Sequence, residues 1–377
     1  MGEYIPLHKT VLKVNDTEFK TSHYIEMLKM AKEGQPDRDI QILARSAVQQ
    51  MQQDEVIKQG AEKLGITVSE EEIIETLENL GLPVNDGYKA TLGGQLIKSR
   101  LKTDYFGLQV LESAEQVHAL AMLLEGESQA LEIRERLLSG DNFTALAGEF
   151  ALDYYAKNVN QGDYGWHPES IYGVQLGSPV AIEYAFSAEP GELSEPLYDE
   201  EKSKQSGYWL IRVNDIPEEG SANVSAVFLS NEDEAKEIKE RLEAGEALGP
   251  IADEYSDYSP SREKHGELGY VMPEQTGEVF DAYVFNPGVE LGKWSEPLRD
   301  ENYWSIGGYW LVEVVDREDD RKISSEDRNY LIDEIYNGWL SSLWADPYLV
   351  IDDSYLTDEL NQWAMERVMK DIQEAGG

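Results

Sequence analysis

The chain of 377 residues has no cysteine, five histidines, and only 32 lysines and arginines against 74 aspartates and glutamates. Without cysteine there are no disulfides, no thiolate metal sites and no cysteine nucleophiles. A formal net charge of -42 repels phosphate backbones and anionic lipids, so nucleic acid is not an expected partner. Two interpretations of this acidity stay open: a generic or salt-adapted surface, or an attraction for basic partners.

Long hydrophobic runs are also missing. No apolar stretch approaches the ~20 residues that a membrane-spanning helix needs, and the densest is Val117–Leu124. The first residues, Met1–Tyr4, lack the pattern of a signal peptide. A hydrophobic content of 41% and eight tryptophans still indicate a folded chain. We expect no membrane span in this chain, and we expect that an anchor of the natural protein, if there is one, has been removed.

The strongest feature that is present is an internal repeat. The matched blocks are Glu132–Leu137 with Glu237–Leu242, Gly162–Trp166 with Gly266–Tyr270, Glu195–Leu197 with Glu296–Leu298, and Gly207–Leu210 with Gly308–Leu311. The offset between them falls only from 105 to 101 residues along the chain. Because this period is far longer than a solenoid unit, it indicates two whole domains in tandem.

Each copy shows the same order of predicted elements: a strand, two helices, a glycine-rich loop, a short helix and a closing strand. The closing strands are Tyr208–Val213 and Tyr309–Val315. We therefore predict an α+β fold in which residues 116–217 and 222–318 each form an antiparallel sheet with surrounding helices.

The two flanks, residues 1–115 and 319–377, are predicted to be helical. Apolar residues keep helical spacing from Ile40 to Leu64, and Ser69 with Glu72 forms a capping box. The doublet Gly93-Gly94 is interpreted as a turn or a helix break. Since neither flank is large enough for a generous core, we expect both to pack together as one all-α domain.

The repeated motifs resemble the parvulin (PpiC/rotamase) family of peptidyl-prolyl cis-trans isomerases. The motifs that carry this resemblance are Gly140–Ala147, Gly162–Trp166, Gly191–Pro196 and Gly207–Val213 in the first copy, and Ser256–Asp257, Gly266–Tyr270, Phe280–Phe285 and Gly308–Val312 in the second. The flanks, including Val14–Phe19 and Lys63–Glu72, resemble the helical chaperone region of SurA/PrsA-type secretion foldases. The resemblance covers nearly the whole chain, and it implies a location in the periplasm or at the cell surface.

The resemblance also implies a site: two facing histidines, a Cys or Asp beside them, and a Met/Leu and Phe pocket that seats proline. Such a site lowers the ~20 kcal/mol barrier to amide rotation by favouring the twisted bond in a desolvated cleft. In this chain the family-equivalent positions hold Ala121, Tyr154, Ala181 and Trp209 in the first domain and Ala226, Tyr258, Phe280 and Trp310 in the second. An indole has no acceptor and does not titrate, so we expect isomerase activity to be weak or absent.

Two interpretations of the tryptophans stay open: Trp209 and Trp310 fill the former cleft as core, or they offer a flat aromatic surface to bound segments. His118 lies three residues from Ala121, and this odd offset places it on the opposite face of a strand. The histidine spacing fits no zinc motif and no nucleotide-binding loop is present, so no metal or cofactor is expected.

These observations predict a folding factor or chaperone that binds unfolded or extended polypeptides. The alternative is an active peptidyl-prolyl cis-trans isomerase with an atypical site. A structural dimer or assembly module is a third, weaker hypothesis.

Overall fold

A computed structural model describes residues 4–217 and 220–376, which fall into two compact units. One unit extends to Glu112 and resumes at Ser324, whereas the other is Ser113–Ile323. No helix in these described stretches combines the length and the apolar character that crossing a membrane requires.

Helices and strands follow one another along the chain. The helices are α1 Tyr4–Leu7, α2 Thr21–Gly34, α3 Ile40–Lys63, α4 Glu70–Leu80, α5 Asp86–Arg100 (followed by a π-helical turn, Leu101–Phe106), α6 Glu127–Leu138, α7 Phe143–Phe150, α8 Tyr154–Asn158, α9 Glu169–Leu176, α10 Pro179–Ser187, α11 Glu232–Glu243, α12 Leu248–Tyr255, α13 Ser259–Glu263, α14 Glu278–Val284, α15 Ser325–Trp344 and α16 Asp358–Gly376. The strands are β1 Thr10–Val14, β2 Thr17–Lys20, β3 Ser113–Leu124, β4 Asp163–His167, β5 Leu197–Lys204, β6 Gly207–Asp215, β7 Ala222–Leu229, β8 Glu267–Val271, β9 Leu298–Asp300, β10 Ser305–Lys322 and β11 Ile351–Asp352.

Both flanks of the chain build the helical unit, as predicted. Ala364 and Val368 of α16 are buried in one cluster with Tyr24 and Leu28 of α2. The Tyr24 hydroxyl also donates to Asn361 Oδ1 at 2.7 Å. A small sheet of order β11-β1-β2 joins the two flanks again, so the unit is mainly but not wholly helical.

Local signals in the sequence explain where these helices begin. Ser69 Oγ accepts the backbone N–H of Glu72 at 3.2 Å and so caps α4. The Glu72 carboxylate does not return a bond to Ser69 but pairs with Arg100 at 2.5 Å. Of the predicted capping box, only the serine bond therefore forms. The next helix, α5, is capped by Asn85, whose Oδ1 accepts the N–H of Tyr88 at 3.0 Å.

The second unit contains two four-stranded antiparallel sheets, ordered β4-β3-β10-β5 and β8-β7-β6-β9. The closing strand of the second copy, β10, lies in the first sheet, where Val312 pairs with Ala121. The closing strand of the first copy, β6, lies in the second sheet, where Ile211 pairs with Ala226. We name residues 113–204 with 305–322 lobe one, and residues 207–300 lobe two.

This exchange of strands corrects one part of the prediction, in which residues 116–217 and 222–318 each kept their own closing strand. A physical reason lies between β5 and β6, where only Gln205 and Ser206 connect the two strands. A two-residue hairpin requires residues that adopt positive φ, such as Asn-Gly, and neither glutamine nor serine favours that conformation. The connection does not form such a turn, and β5 and β6 enter different sheets.

Equivalent contacts hold the exchanged strands in both lobes. Ser194 Oγ accepts the N–H of Val312 at 3.0 Å, and Ser295 Oγ accepts the N–H of Ile211 at 3.0 Å. Gly162 and Gly266, the first glycines of the matched loops, have φ values of 77° and 81°. The two copies thus have the same fold, which confirms the repeat.

Polar contacts join the lobes where the chain crosses between them. Lys204 is 3% exposed, and its ammonium donates to Ser230 Oγ and to the carbonyl of Gly307. Burial lowers the pKa of Lys204 to about 8. Arg299 of lobe two, which is exposed, pairs with the buried Glu125 of lobe one at 3.1 Å, so an ion pair also joins the lobes at this crossing.

Candidate functional site

Trp209 of β6 occupies the centre of one sheet face in lobe two. Aromatic rings surround its indole, with centroid distances of 4.7 Å to Phe228, 5.0 Å to Tyr258, 5.1 Å to Phe280 and 5.3 Å to Tyr303. Several of these contacts are edge-to-face, the arrangement that ring quadrupoles favour. The face is filled by packed rings and leaves Trp209 fully buried.

The indole N–H of Trp209 has a defined acceptor. It donates to Asp300 Oδ2 at 3.1 Å, and Asp300 is 1% exposed. The other carboxylate oxygen of Asp300 accepts the backbone N–H of Asn302 at 2.9 Å. This buried hydrogen bond fixes the orientation of the Trp209 indole.

Lobe one repeats this arrangement with fewer aromatic rings. Trp310 of β10 is buried in one cluster with Ala121 and Ala181, and its indole donates to Asp199 Oδ2 at 3.3 Å. The Lys202 ammonium lies 5.1 Å from the centroid of the Trp310 ring, within the range of a cation–π contact. Alanine at position 181 replaces the bulk that Phe280 supplies in lobe two.

The structure brings together most of the residues predicted for the two sites, but it reassigns the tryptophans. Trp310 lies beside Ala121 and Ala181, whereas Trp209 lies beside Ala226 and Phe280. The reason is the exchange of β6 and β10, which carries each tryptophan into the other lobe.

The tyrosines at the matched positions differ in environment. Tyr258 is half-buried against Trp209, whereas Tyr154 begins α8 and is 76% exposed. Tyr154 therefore does not belong to the buried face of lobe one, although Tyr258 does contribute to that of lobe two.

Burial decides between the two interpretations of the tryptophans. Trp209 is 0% exposed and Trp310 is 1% exposed. Both indoles are core residues, so the hypothesis that they form a flat surface for bound segments is wrong.

The histidines lie elsewhere. Val117, Ala119, Ala121 and Leu123 share one cluster of lobe one, so His118 projects from the other face of β3, as predicted. Its Nε2 lies 2.8 Å from Asp163 Oδ1. Within the described stretches of the chain no histidine is fully buried, although the His167 ring contacts Tyr172 of the lobe-one cluster at a centroid distance of 5.7 Å.

Tyr303, which the sequence did not single out, adds a polar group to the rim of the lobe-two face. Its hydroxyl donates to the carbonyl of Thr276, and burial raises its pKa to about 12. Burial also raises the pKa of Tyr258. Both phenols stay protonated at neutral pH and can only donate or accept hydrogen bonds. No motif marks Tyr303, because its role depends on packing against Trp209.

A separate apolar groove lies within the helical unit, with a cavity volume of about 330 Å³. Its lining includes Met27, Met51, Ile73 and Ile97 from four helices. Met27 and Met51 are 4% and 2% exposed, so they form the buried floor of the groove rather than its surface. Thioether side chains are flexible and polarizable, so a floor of this kind can adapt to an apolar group above it.

Gly93 and Gly94 lie inside α5 at the floor of this groove, which corrects their interpretation as a turn or helix break. A Cβ on Gly93 would approach Ile73 Cδ1 to 3.0 Å, and one on Gly94 would approach Asp54 Oδ1 to 3.0 Å. Close helix packing, rather than a bend, accounts for both glycines. In the sequence, the Gly93-Gly94 doublet marks the place where α5 packs closely against its neighbours at this groove.

Charged pairs surround the apolar floor. Lys98 pairs with Asp54 at 2.9 Å, and Lys89 pairs with Glu70 at 2.8 Å. His23 also lines the groove, and burial lowers its pKa, so its imidazole is neutral at physiological pH. An apolar floor with a charged rim is a common form of a protein-binding patch.

Residues 225–307 match the family model of the PPIC-type PPIASE domain, named Rotamase. A Chaperone SurA from Alkalilimnicola ehrlichii is 24% identical over 318 residues, which cover 78% of this chain and 65% of the relative. A Foldase protein PrsA from Halalkalibacterium halodurans is 33% identical over 162 residues, or 43% of this chain and 44% of the relative.

A solved PrsA from Bacillus anthracis is also similar, with 12% identity, a TM-score of 0.29, and coverage of 86% of this chain and 96% of that one. This chain spans about half to two thirds of the length of the SurA relatives that it matches. The family match identifies residues 225–307 as a parvulin-type (rotamase) domain. Over a longer stretch, the chain is similar in sequence to Chaperone SurA and Foldase protein PrsA.

Proposed function

We propose that this protein is an extracytoplasmic folding factor that binds unfolded polypeptides, and that its two rotamase lobes have lost the catalytic histidines. The methionine-lined groove of the helical unit carries the binding part of this proposal. The names of the relatives, Chaperone SurA and Foldase protein PrsA, support the same function. The location in the periplasm or at the cell surface rests on the resemblance to these foldases.

The loss of the histidines is supported by the filled sheet faces. Ala121 and Ala226 stand at the strand positions where the family carries a histidine, and both are fully buried. Trp209 and Trp310 stand at the second histidine positions and are held by Asp300 and Asp199. In lobe two, packed aromatic rings occupy the sheet face on which a proline ring would have to sit to be twisted.

Groove binding is tested by suppression of aggregation of an unfolded client, followed by light scattering. Gly93→Leu places a side chain in the groove, and we expect it to weaken suppression about tenfold, because buried apolar contacts supply most of such binding energy. The matched control is Gly338→Leu in α15, where an added Cβ meets no atom within 4 Å. Equal suppression by both variants would count against the groove, and no suppression by the wild type would count against a chaperone.

The alternative, an atypical isomerase, is favoured by one observation. Lobe two keeps Phe280 and has two protonated phenols, Tyr258 and Tyr303, at the rim of its sheet face. A protease-coupled assay with a proline peptide separates the two functions. We expect the uncatalysed rate with the full chain; an acceleration that Tyr258→Phe abolishes would establish the alternative.

A further inference from the structure

The two exchanged strands are alike in their apolar residues. Gly207–Val213 and Gly308–Val314 both begin Gly-Tyr-Trp-Leu and alternate in the same way. Since the two sheets offer equivalent contacts, the apolar residues do not determine which strand closes which sheet. The choice must depend on the positions at which the strands differ.

Two such positions are polar in β6. Arg212 and Asn214 of β6 correspond to Glu313 and Val315 of β10. In lobe two, Asn214 donates to Ser225 Oγ at 2.8 Å, and the Ser225 hydroxyl donates to Glu267 Oε2 at 2.9 Å.

Arg212 completes this row of polar side chains across the sheet. Arg212 pairs in register with Ser225, which pairs with Glu267 on the next strand. The guanidinium lies 3.8 Å from Glu267 Oε1. Lobe two therefore supplies hydrogen-bond partners and a countercharge that suit Arg212 and Asn214.

The equivalent row of lobe one has a different chemistry. Glu313 pairs with Leu120, which pairs with Asp163. Leu120 offers no hydrogen bond, and Asp163 already has His118 as its partner at 2.8 Å. Glu313 is half-buried between Leu120 and Leu193, and burial raises its pKa.

If each copy kept its own closing strand, Glu313 would take the place of Arg212 beside Glu267. Asn223 stands in lobe two where His118 stands in lobe one, so no cation would separate the two carboxylates. The two carboxylates would lie on the strands on either side of β7, on one face of the sheet, where like charges repel each other. The Gln205–Ser206 connection would also have to form a tight turn that its residues disfavour.

We propose that this chain has two complete topologies available, exchanged and unexchanged, and that Arg212 with the Gln205–Ser206 connection selects the exchanged one. Restoring a turn and moving the positive charge to β10 then gives a protein in which each copy keeps its own closing strand. The selected exchange instead joins the lobes by two crossings of the chain, residues 205–206 and 301–304.

The absence of cysteine allows a direct test with the full chain. In the exchanged topology Ala119 pairs with Val314, whereas in the unexchanged one it would face Val213, the equivalent of Val314. Two double variants, Ala119→Cys with Val314→Cys and Ala119→Cys with Val213→Cys, report the two topologies, because paired strand residues lie within disulfide range. The disulfide yield of each is measured by peptide mapping under non-reducing conditions.

Each reporter pair is placed in the wild-type background and in a redesign that combines Gln205→Asn, Ser206→Gly, Arg212→Glu and Glu313→Arg. We expect the wild type to form the link to residue 314, and the redesign to shift the ratio of the two links about tenfold toward residue 213. Arg212→Lys keeps the charge and serves as the control that retains the wild-type ratio.

Two results would overturn the proposal: a link to residue 213 in the wild type, or an unchanged ratio in a folded redesign. If the redesign does not fold, the Gln205→Asn, Ser206→Gly variant takes its place: we expect its ratio of the two links to shift toward residue 213, and an unchanged ratio overturns the proposal. Ser206 is 1% exposed and its hydroxyl has no hydrogen-bond partner, so this variant removes no observed side-chain contact of Ser206.

Discussion

Replacing Trp209 by phenylalanine tests the exchanged topology through stability. Trp209 lies in the sequence of the first copy but is buried in lobe two. Trp209→Phe leaves a buried oxygen of Asp300 without its donor, which destabilises by about 1–3 kcal/mol. The smaller ring adds a cavity term, so we expect a total loss of about 2 kcal/mol or more.

Hydrogen exchange of the full chain, followed by mass spectrometry, locates this loss. A change of 2 kcal/mol lowers amide protection about 30-fold in the lobe that is destabilised. We expect the loss in β7, Ala222–Leu229, with little change in β3, Ser113–Leu124. Trp310→Phe is the matched variant and should show the reverse pattern. If Trp209→Phe lowers amide protection as much in β3 as in β7, or more, the reasoning is refuted.

Three other predictions concern single positions. Between pH 8 and 10 the folded protein loses the Lys204 proton, whereas the unfolded lysine, with a pKa of 10.5, keeps it. The free energy of unfolding of the wild type should therefore rise by about 2 kcal/mol over this range relative to that of Lys204→Met. Parallel pH profiles of the two proteins in urea unfolding would contradict this. Gly162 has a φ of 77°, and an added Cβ would lie 2.9 Å from the carbonyl oxygen of Ala121, so Gly162→Ala should lower the free energy of unfolding by about 3 kcal/mol or more. Gly165 has a similar φ of 74° but open space around it, so Gly165→Ala should lower it by only about 1 kcal/mol in the same measurement. Ser69→Ala removes the cap of α4 and should lower stability by about 1 kcal/mol, and Ser69→Asp should restore it; no difference between the two would argue against the cap.

The sequence predicts the repeat and the helical unit because both depend on local patterns. Four matched blocks in the same order indicate two copies of one fold. The apolar spacing of α3 and of α16 indicates that each helix has an apolar face to bury. Since the two repeated domains form their own cores, the sequence predicts that the two flanks bury these faces against each other.

The sequence does not predict the exchange of β6 and β10, because strand pairing is a long-range choice between similar segments. Their shared Gly-Tyr-Trp-Leu makes either pairing consistent with the pattern of apolar residues. The deciding signals, Arg212 and the Gln205–Ser206 connection, acquire meaning only once Glu267 is known to be a neighbour. The burial of Trp209 depends in the same way on Tyr303, which no motif marks.

The exchange gives the chain a nested order along its sequence. The segments of lobe one come between the two flanks, and the single segment of lobe two, residues 207–300, comes between the two segments of lobe one. Read from its N-terminal side, the chain therefore contains every strand of lobe two before β10, Ser305–Lys322, which lobe one needs. Lobe two is complete in sequence before lobe one.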